Sequence, residues 1–108
     1  MLGAAALALA AFAQDAAPGA PFVPTPLPVV ERMLELAKVT PGDVVYALGS
    51  GDGRVVITAA QRYGARGVGV ELNPVWVRDA RRFAEMLGVT DKVTFRIEDL
   101  FTTDLREA

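Results

Sequence analysis

Asp43-Val44-Val45-Tyr46-Ala47-Leu48-Gly49-Ser50-Gly51-Asp52-Gly53-Arg54 passes from an apolar run into a turn with glycine at every second position. A helix-forming segment, Val55 to Tyr63, follows at once. The pattern predicts a strand buried on both faces, a tight turn and a helix N-terminus, where a small ligand meets backbone N–H groups. A second apolar run ends Gly69-Val70-Glu71, which puts a carboxylate 18 residues after Gly53. One carboxylate at the tip of the neighbouring strand can accept hydrogen bonds from both hydroxyls of a ribose. Together the two features predict a nucleoside site. The competing structural readings are an ordinary tight turn and a solvated strand-end carboxylate.

The turn narrows the choice of nucleoside. A dinucleotide fold uses G-x-G-x-x-G, with the third glycine allowing close helix–strand packing. Here the glycines stand at 49, 51 and 53, and Arg54 follows. Asp52 would meet a pyrophosphate with like charge. S-adenosylmethionine (SAM) has no phosphate and carries a sulfonium and an ammonium, so an acidic turn suits it. Leu48-Gly49-Ser50-Gly51-Asp52-Gly53-Arg54 resembles the first motif of the class I, Rossmann-like SAM-dependent methyltransferases, and Gly69-Val70-Glu71-Leu72-Asn73-Pro74 resembles their second. Ala20-Pro21-Phe22-Val23-Pro24-Thr25-Pro26 is similar to the segment before the first helix in the small bacterial and mitochondrial protein-lysine methyltransferase-like group. The resemblance covers about residues 20–105.

That resemblance implies an α/β fold, a Rossmann-like three-layer sandwich with a parallel sheet, of which about three strands are present. It implies SAM as cofactor and a protein lysine side chain as methyl acceptor. Leu48, Gly49, Ser50, Gly51, Asp52, Gly53 and Glu71 would hold the cofactor, and Leu72 and Asn73 would line the adenine. Asp99, followed by Leu100, stands where the family places an acid that accepts from the adenine amine, and a helix N-cap is its competing role. Thr25 and Phe22 would lie near the cofactor, with linker and helix cap as the equal alternative. One position departs from the pattern: the family usually has an acid at the end of the first strand, where this chain has Ala47. Substrate-side residues in such proteins come from loops after the fourth and later strands, so no catalytic residue is assigned. The rivals are an NAD(P)-binding Rossmann oxidoreductase and a non-catalytic nucleoside-binding or interaction module.

Composition sets outer bounds. A chain of 108 residues with a formal net charge of −2 and 22% charged residues permits one domain and offers no basic surface for nucleic acid. It has no cysteine and no histidine, which excludes disulfides, thiolate chemistry, the usual zinc sites and a histidine general base within this sequence. Methyl transfer to a positioned nucleophile needs none of these.

Residues 1–13 are apolar, small and uncharged, and Ala11-Phe12-Ala13 fits a small-x-small cleavage site. They read as a signal peptide or short hydrophobic anchor, which implies export or membrane association. A cytosolic cofactor opposes export, and an anchor on the inner face would reconcile the two. Residues 14–27 form a Pro/Ala-rich linker, with Thr25 expected to cap a helix whose first residue is Pro26. Residues 28–108 are expected to form the N-terminal half of the methyltransferase domain. Apolar positions 30, 33, 34 and 37 predict the first helix. Pro74 starts a third, with Val75, Val77 (or Ala80), Phe83, Ala84 and Leu87 inward. Arg78, Arg81 and Arg82 face outward on it, a solvated face rather than an RNA contact. Val93 to Ile97 is the third strand. Two further expectations follow. The first strand should sit mid-sheet with its outer edge bare, a sign of truncation. Substituting Glu71 should weaken the cofactor's hold and leave the fold nearly untouched.

Overall fold

The computed structural model describes residues 7–10 and 25–99. Seven elements follow in order: β1 (Leu7–Ala10), α1 (Leu27–Leu36), β2 (Val44–Leu48), α2 (Arg54–Tyr63), β3 (Arg66–Glu71), α3 (Pro74–Met86) and β4 (Val93–Ile97). The strands form one parallel sheet in the order β1-β2-β3-β4. The expected sheet of three strands, with β3 and β4 to one side of β2, is there. Its outer edge is not bare, which corrects the sequence reading. Leu7–Ala10 pairs in parallel with Val45–Leu48, so an apolar run from the expected leader uses the edge of β2. The rest of residues 1–13 lies outside the described residues.

Period-two burial divides the sheet. Val45 and Ala47 of β2 and Val93 and Phe95 of β4 join the helical side chains Val30, Leu34, Val56, Ile57, Val77, Ala80 and Ala84 in one buried cluster. Val44, Tyr46, Val68 and Val70 form a second cluster, to which no described helix contributes. All three described helices therefore serve one face. On that face β3 presents Gly67 and Gly69, while Val68 and Val70 point the other way. A Cβ at Gly67 would lie 2.6 Å from the Val56 side chain, so α2 rests directly on the backbone of β3.

Two helix readings need adjustment. On α3 the buried stripe is Val77, Ala80 and Ala84, whereas Val75, Phe83 and Leu87 are exposed. Small residues let α3 approach the sheet closely, which leaves the larger apolar side chains on its flanks. At α1 the helix begins at Leu27, and Pro26 takes the N-cap position without a side-chain hydrogen bond. The Pro26 carbonyl accepts from Val29 and Val30 N–H, so Thr25 does not cap. Arg78, Arg81 and Arg82 are exposed, as their spacing predicts.

Candidate cofactor site

β2 and β3 end side by side, and the site is built on their C-terminal tips. After Leu48 the chain turns through Gly49, Gly51 and Gly53, all with positive φ. The turn is anchored to β3: Gly49 N–H donates to the Val70 carbonyl at 2.7 Å and Ser50 N–H to the same oxygen at 3.0 Å. Gly53 N–H donates to Ser50 O at 2.9 Å. Most of the turn's N–H groups are thus spent inside the protein, which corrects the expectation of free donors for a ligand. What the turn offers instead is room: a Cβ built at Gly49 meets nothing within 4 Å among the described residues.

Gly53 is glycine for two reasons. Its φ of 82° is left-handed, and a Cβ there would sit 2.7 Å from the Phe95 ring and 3.0 Å from Ala80 Cβ. The same ring lies 2.7 Å from the Cβ position of Gly69. Phe95 therefore wedges beneath the turn from β4, and Arg81 of α3 donates to the Phe95 carbonyl at 2.9 Å. Sequence reasoning missed Phe95 because an inward aromatic on a strand looks like any core residue.

Glu71 joins both loops of the site. Its Oε1 accepts from Gly51 N–H at 2.9 Å and its Oε2 from Asn73 N–H at 3.0 Å. Each oxygen keeps lone-pair capacity for a ligand hydroxyl. Asn73, expected beside the adenine, also caps α3 by accepting from Val75 N–H at 2.9 Å. Leu72, next to Glu71, is 66% exposed, an apolar surface open to a flat ring. Ile97, across the ladder from Glu71, is a second exposed apolar side chain at the strand tips, 50% exposed. Its strand-end position is the one signal that would have found it.

Asp52 and Arg54 face each other. Arg54 Nη2 donates to Asp52 Oδ2 at 2.7 Å, and Arg54 Nε donates to both carboxylate oxygens at 3.1 and 3.2 Å. The anion expected near Arg54 is Asp52. The turn's acidity is neutralised internally, so like-charge repulsion of a phosphate is weaker than the sequence implied. Hydrogen bonding to Asp52 raises the Arg54 pKa above its ordinary value, with partial burial opposing. Arg54 Nη1 also donates to the Thr25 carbonyl at 3.0 Å, which brings Thr25 to the turn through its backbone.

The remaining predicted residues stand as follows. Leu48 is half-buried and packs on the second cluster. Ser50 Oγ is buried and has no hydrogen-bond partner among the described residues, so its hydroxyl is not presented at an open surface. Ala47 is 2% exposed in the helix-face cluster, in ladder register with Gly69. Asp99 is exposed beyond β4. Leu100 and Phe22 lie outside the described residues.

Parallel βαβ units carrying a glycine turn and a strand-end carboxylate define a Rossmann-like domain with a nucleoside-type site. Comparison with known proteins takes this one step further. The model of the ANTKMT methyltransferase domain family matches residues 47–108, and the chain belongs to that family. A protein-lysine N-methyltransferase of Saccharolobus islandicus is 47% identical over 92 residues, covering 84% of this chain and 57% of that protein. The adenine nucleotide translocase lysine N-methyltransferase of Mus musculus is 39% identical over 87 residues, covering 81% of this chain and 38% of its own length. A crystal structure of an RNA methyltransferase from Salinibacter ruber in complex with S-adenosyl-L-homocysteine (SAH) superimposes with a TM-score of 0.79 at 60% identity. That match covers 80% of this chain and 56% of the other. The chain thus spans about half the length, or less, of the relatives it matches.

Proposed function

We propose that this chain carries the cofactor-binding part of a SAM-dependent methyltransferase that modifies protein lysine side chains. The observation that carries the reading is the Glu71 carboxylate, fixed between the two loops by Gly51 and Asn73 N–H. Its two oxygens can accept from a ribose diol, Leu72 offers apolar surface for the base, and among the described residues the space beside Gly49 is open. Bound SAM supplies a methyl group on sulfonium for in-line displacement, with catalysis resting chiefly on positioning. The SAH-bound relative supports the cofactor, and the lysine methyltransferases among the relatives support the acceptor. The Salinibacter RNA methyltransferase favours RNA instead. Against RNA stand the net charge of −2 and the engagement of Arg81 with the Phe95 carbonyl.

Calorimetric titration of the full-length protein with SAM, SAH and NAD tests the cofactor. Saturable binding of SAM and SAH is expected, and binding of NAD alone would overturn the reading. Radiolabelled methyl transfer into cell extract, followed by hydrolysis, should yield methyl-lysine. Label confined to RNA would move the acceptor to the rival class. An anchor in residues 1–13 and a sheet strand at Leu7–Ala10 exclude one another in one molecule, because a strand paired to the edge of this sheet cannot also lie in lipid. Membrane fractionation with and without residues 1–13 decides between them.

A further inference from the structure

Arg54 occupies an awkward place. It is the first residue of α2, where a cation opposes the helix dipole, and it follows Gly53, which has no side chain to cap with. Gly53 cannot be exchanged for a capping residue, because the Phe95 ring fills the space a Cβ would need. The capping work falls one residue earlier. Asp52 Oδ1 accepts from Arg54 N–H at 3.2 Å, and the same carboxylate takes the Arg54 side chain. With Nε and Nη2 engaged there, the guanidinium has Nη1 left for the Thr25 carbonyl. One planar group therefore joins the turn to a residue just before α1, across 29 positions of sequence. The side chains of the Arg54–Asp52 pair are 28% and 20% exposed, dry enough for geometry to matter and wet enough for the turn to remain reachable.

A second arginine of α2 acts on α1 differently. Arg62 reaches Glu31 at 2.8 Å, but its side chain is 58% exposed, and a simple charge pair suffices there. Arg54 instead uses three nitrogens on two separate segments, a task the guanidinium fork performs and an ammonium cannot.

We propose that Arg54 is a positioning residue: its fork fixes the shape of the Gly49–Gly53 turn and sets Thr25 against it as one wall of the cofactor site. The proposal rests on the cofactor reading above for its effect on binding, but its structural half stands without a ligand. The fork holds a local arrangement, whereas α1 and α2 are held together by the burial of Val30, Leu34, Val56 and Ile57. Loosening it should therefore cost affinity far more than fold.

The test uses the full-length protein and its Arg54→Lys and Asp52→Asn variants. Two measurements are made: amide hydrogen exchange without ligand, and SAM titration. Arg54→Lys keeps the charge and loses the fork. It should speed exchange at residues 50–54 while leaving α3 unchanged, and weaken SAM binding by about tenfold. Asp52→Asn should do the same. Unchanged exchange at the turn would overturn the proposal, and so would accelerated exchange throughout α1, α2 and α3, which would mark a general prop. Faster turn exchange in Arg54→Lys, combined with a parent protein that binds no SAM, would uphold the fork and overturn the cofactor reading instead. Parent binding of SAM that survives intact in Arg54→Lys would overturn the assignment to the site.

Discussion

The two strand-to-helix turns that follow β2 and β3 solve one problem in opposite ways. After β3 the chain uses a conventional helix start: Asn73 caps Val75 and Pro74 stands in the first turn. After β2 it gives up that device. The N-cap is Gly53 in a left-handed conformation, and the turn's N–H groups are spent on Val70, Glu71 and Ser50. The first turn is shaped by what lies beneath it, Phe95, and by what must lie above it. The second is shaped by the helix it begins. Glu71 hydrogen-bonds to both, so a strained loop borrows order from a relaxed one. The comparison teaches that stability and ligand access are divided between neighbouring loops rather than balanced within each.

The largest expected effect belongs to the first turn. Gly53→Ala forces a methyl group into the Phe95 ring and a side chain into left-handed backbone. The sum is roughly 2–5 kcal/mol of lost stability, read by denaturant unfolding. A loss below about 1 kcal/mol would show that the turn can shift aside.

Glu71→Ala comes next. SAM binding should weaken by about 1.5–3 kcal/mol by calorimetry. The fold should also lose about 1–2 kcal/mol, because two backbone N–H groups lose their acceptor. The sequence alone had implied a nearly silent change in stability; the contacts to Gly51 and Asn73 reverse that expectation. An unchanged SAM affinity would remove Glu71 from the site.

Ala47→Asp probes the root of the same turn, where the family usually carries an acid. Position 47 is buried among apolar groups, so the introduced carboxylate should have a raised folded-state pKa. A raised acid pKa contributes stability at low pH and loses it as pH climbs. The variant's deficit against the parent should grow to about 1–3 kcal/mol between pH 4 and 8. A flat difference would mean that the buried Ser50 hydroxyl has turned to donate to it.

The smallest effect sharpens the contrast from the other side. Asn73→Ala should cost about 1 kcal/mol, the usual value of a lost cap, with no steric component. A loss as large as that of Gly53→Ala would erase the distinction between the turns.

The path of the chain was legible in the sequence because period and punctuation are local. The apolar run of β2, the glycine after α2 and Pro74 at the start of α3 each announce themselves within a few residues. Glu71 was legible as a strand-tip carboxylate for the same reason. What it bonds to was not, since Gly51 lies 20 positions away and only the ladder register brings it near. Thr25 was misread as a cap because Pro26 followed it; the helix begins one residue later, and the Thr25 carbonyl answers Arg54 instead. The pairing of Leu7–Ala10 was not legible for a different reason. An uncharged alanine- and leucine-rich run has the same composition whether it enters lipid or lies along a sheet edge, and only the open edge of β2 distinguishes the two.

Glu71 also bears on how this surface tolerates mutation. One side chain serves Gly51 N–H, Asn73 N–H and, on the reading proposed above, a ribose. Aspartate is one methylene too short to span the same gap, and glutamine turns a donor toward one of the two N–H groups. In a library carrying every amino acid at each position from 48 to 75, selected for cofactor binding, position 71 should accept glutamate alone. Leu72, two-thirds open to solvent at 66%, should accept almost any apolar residue.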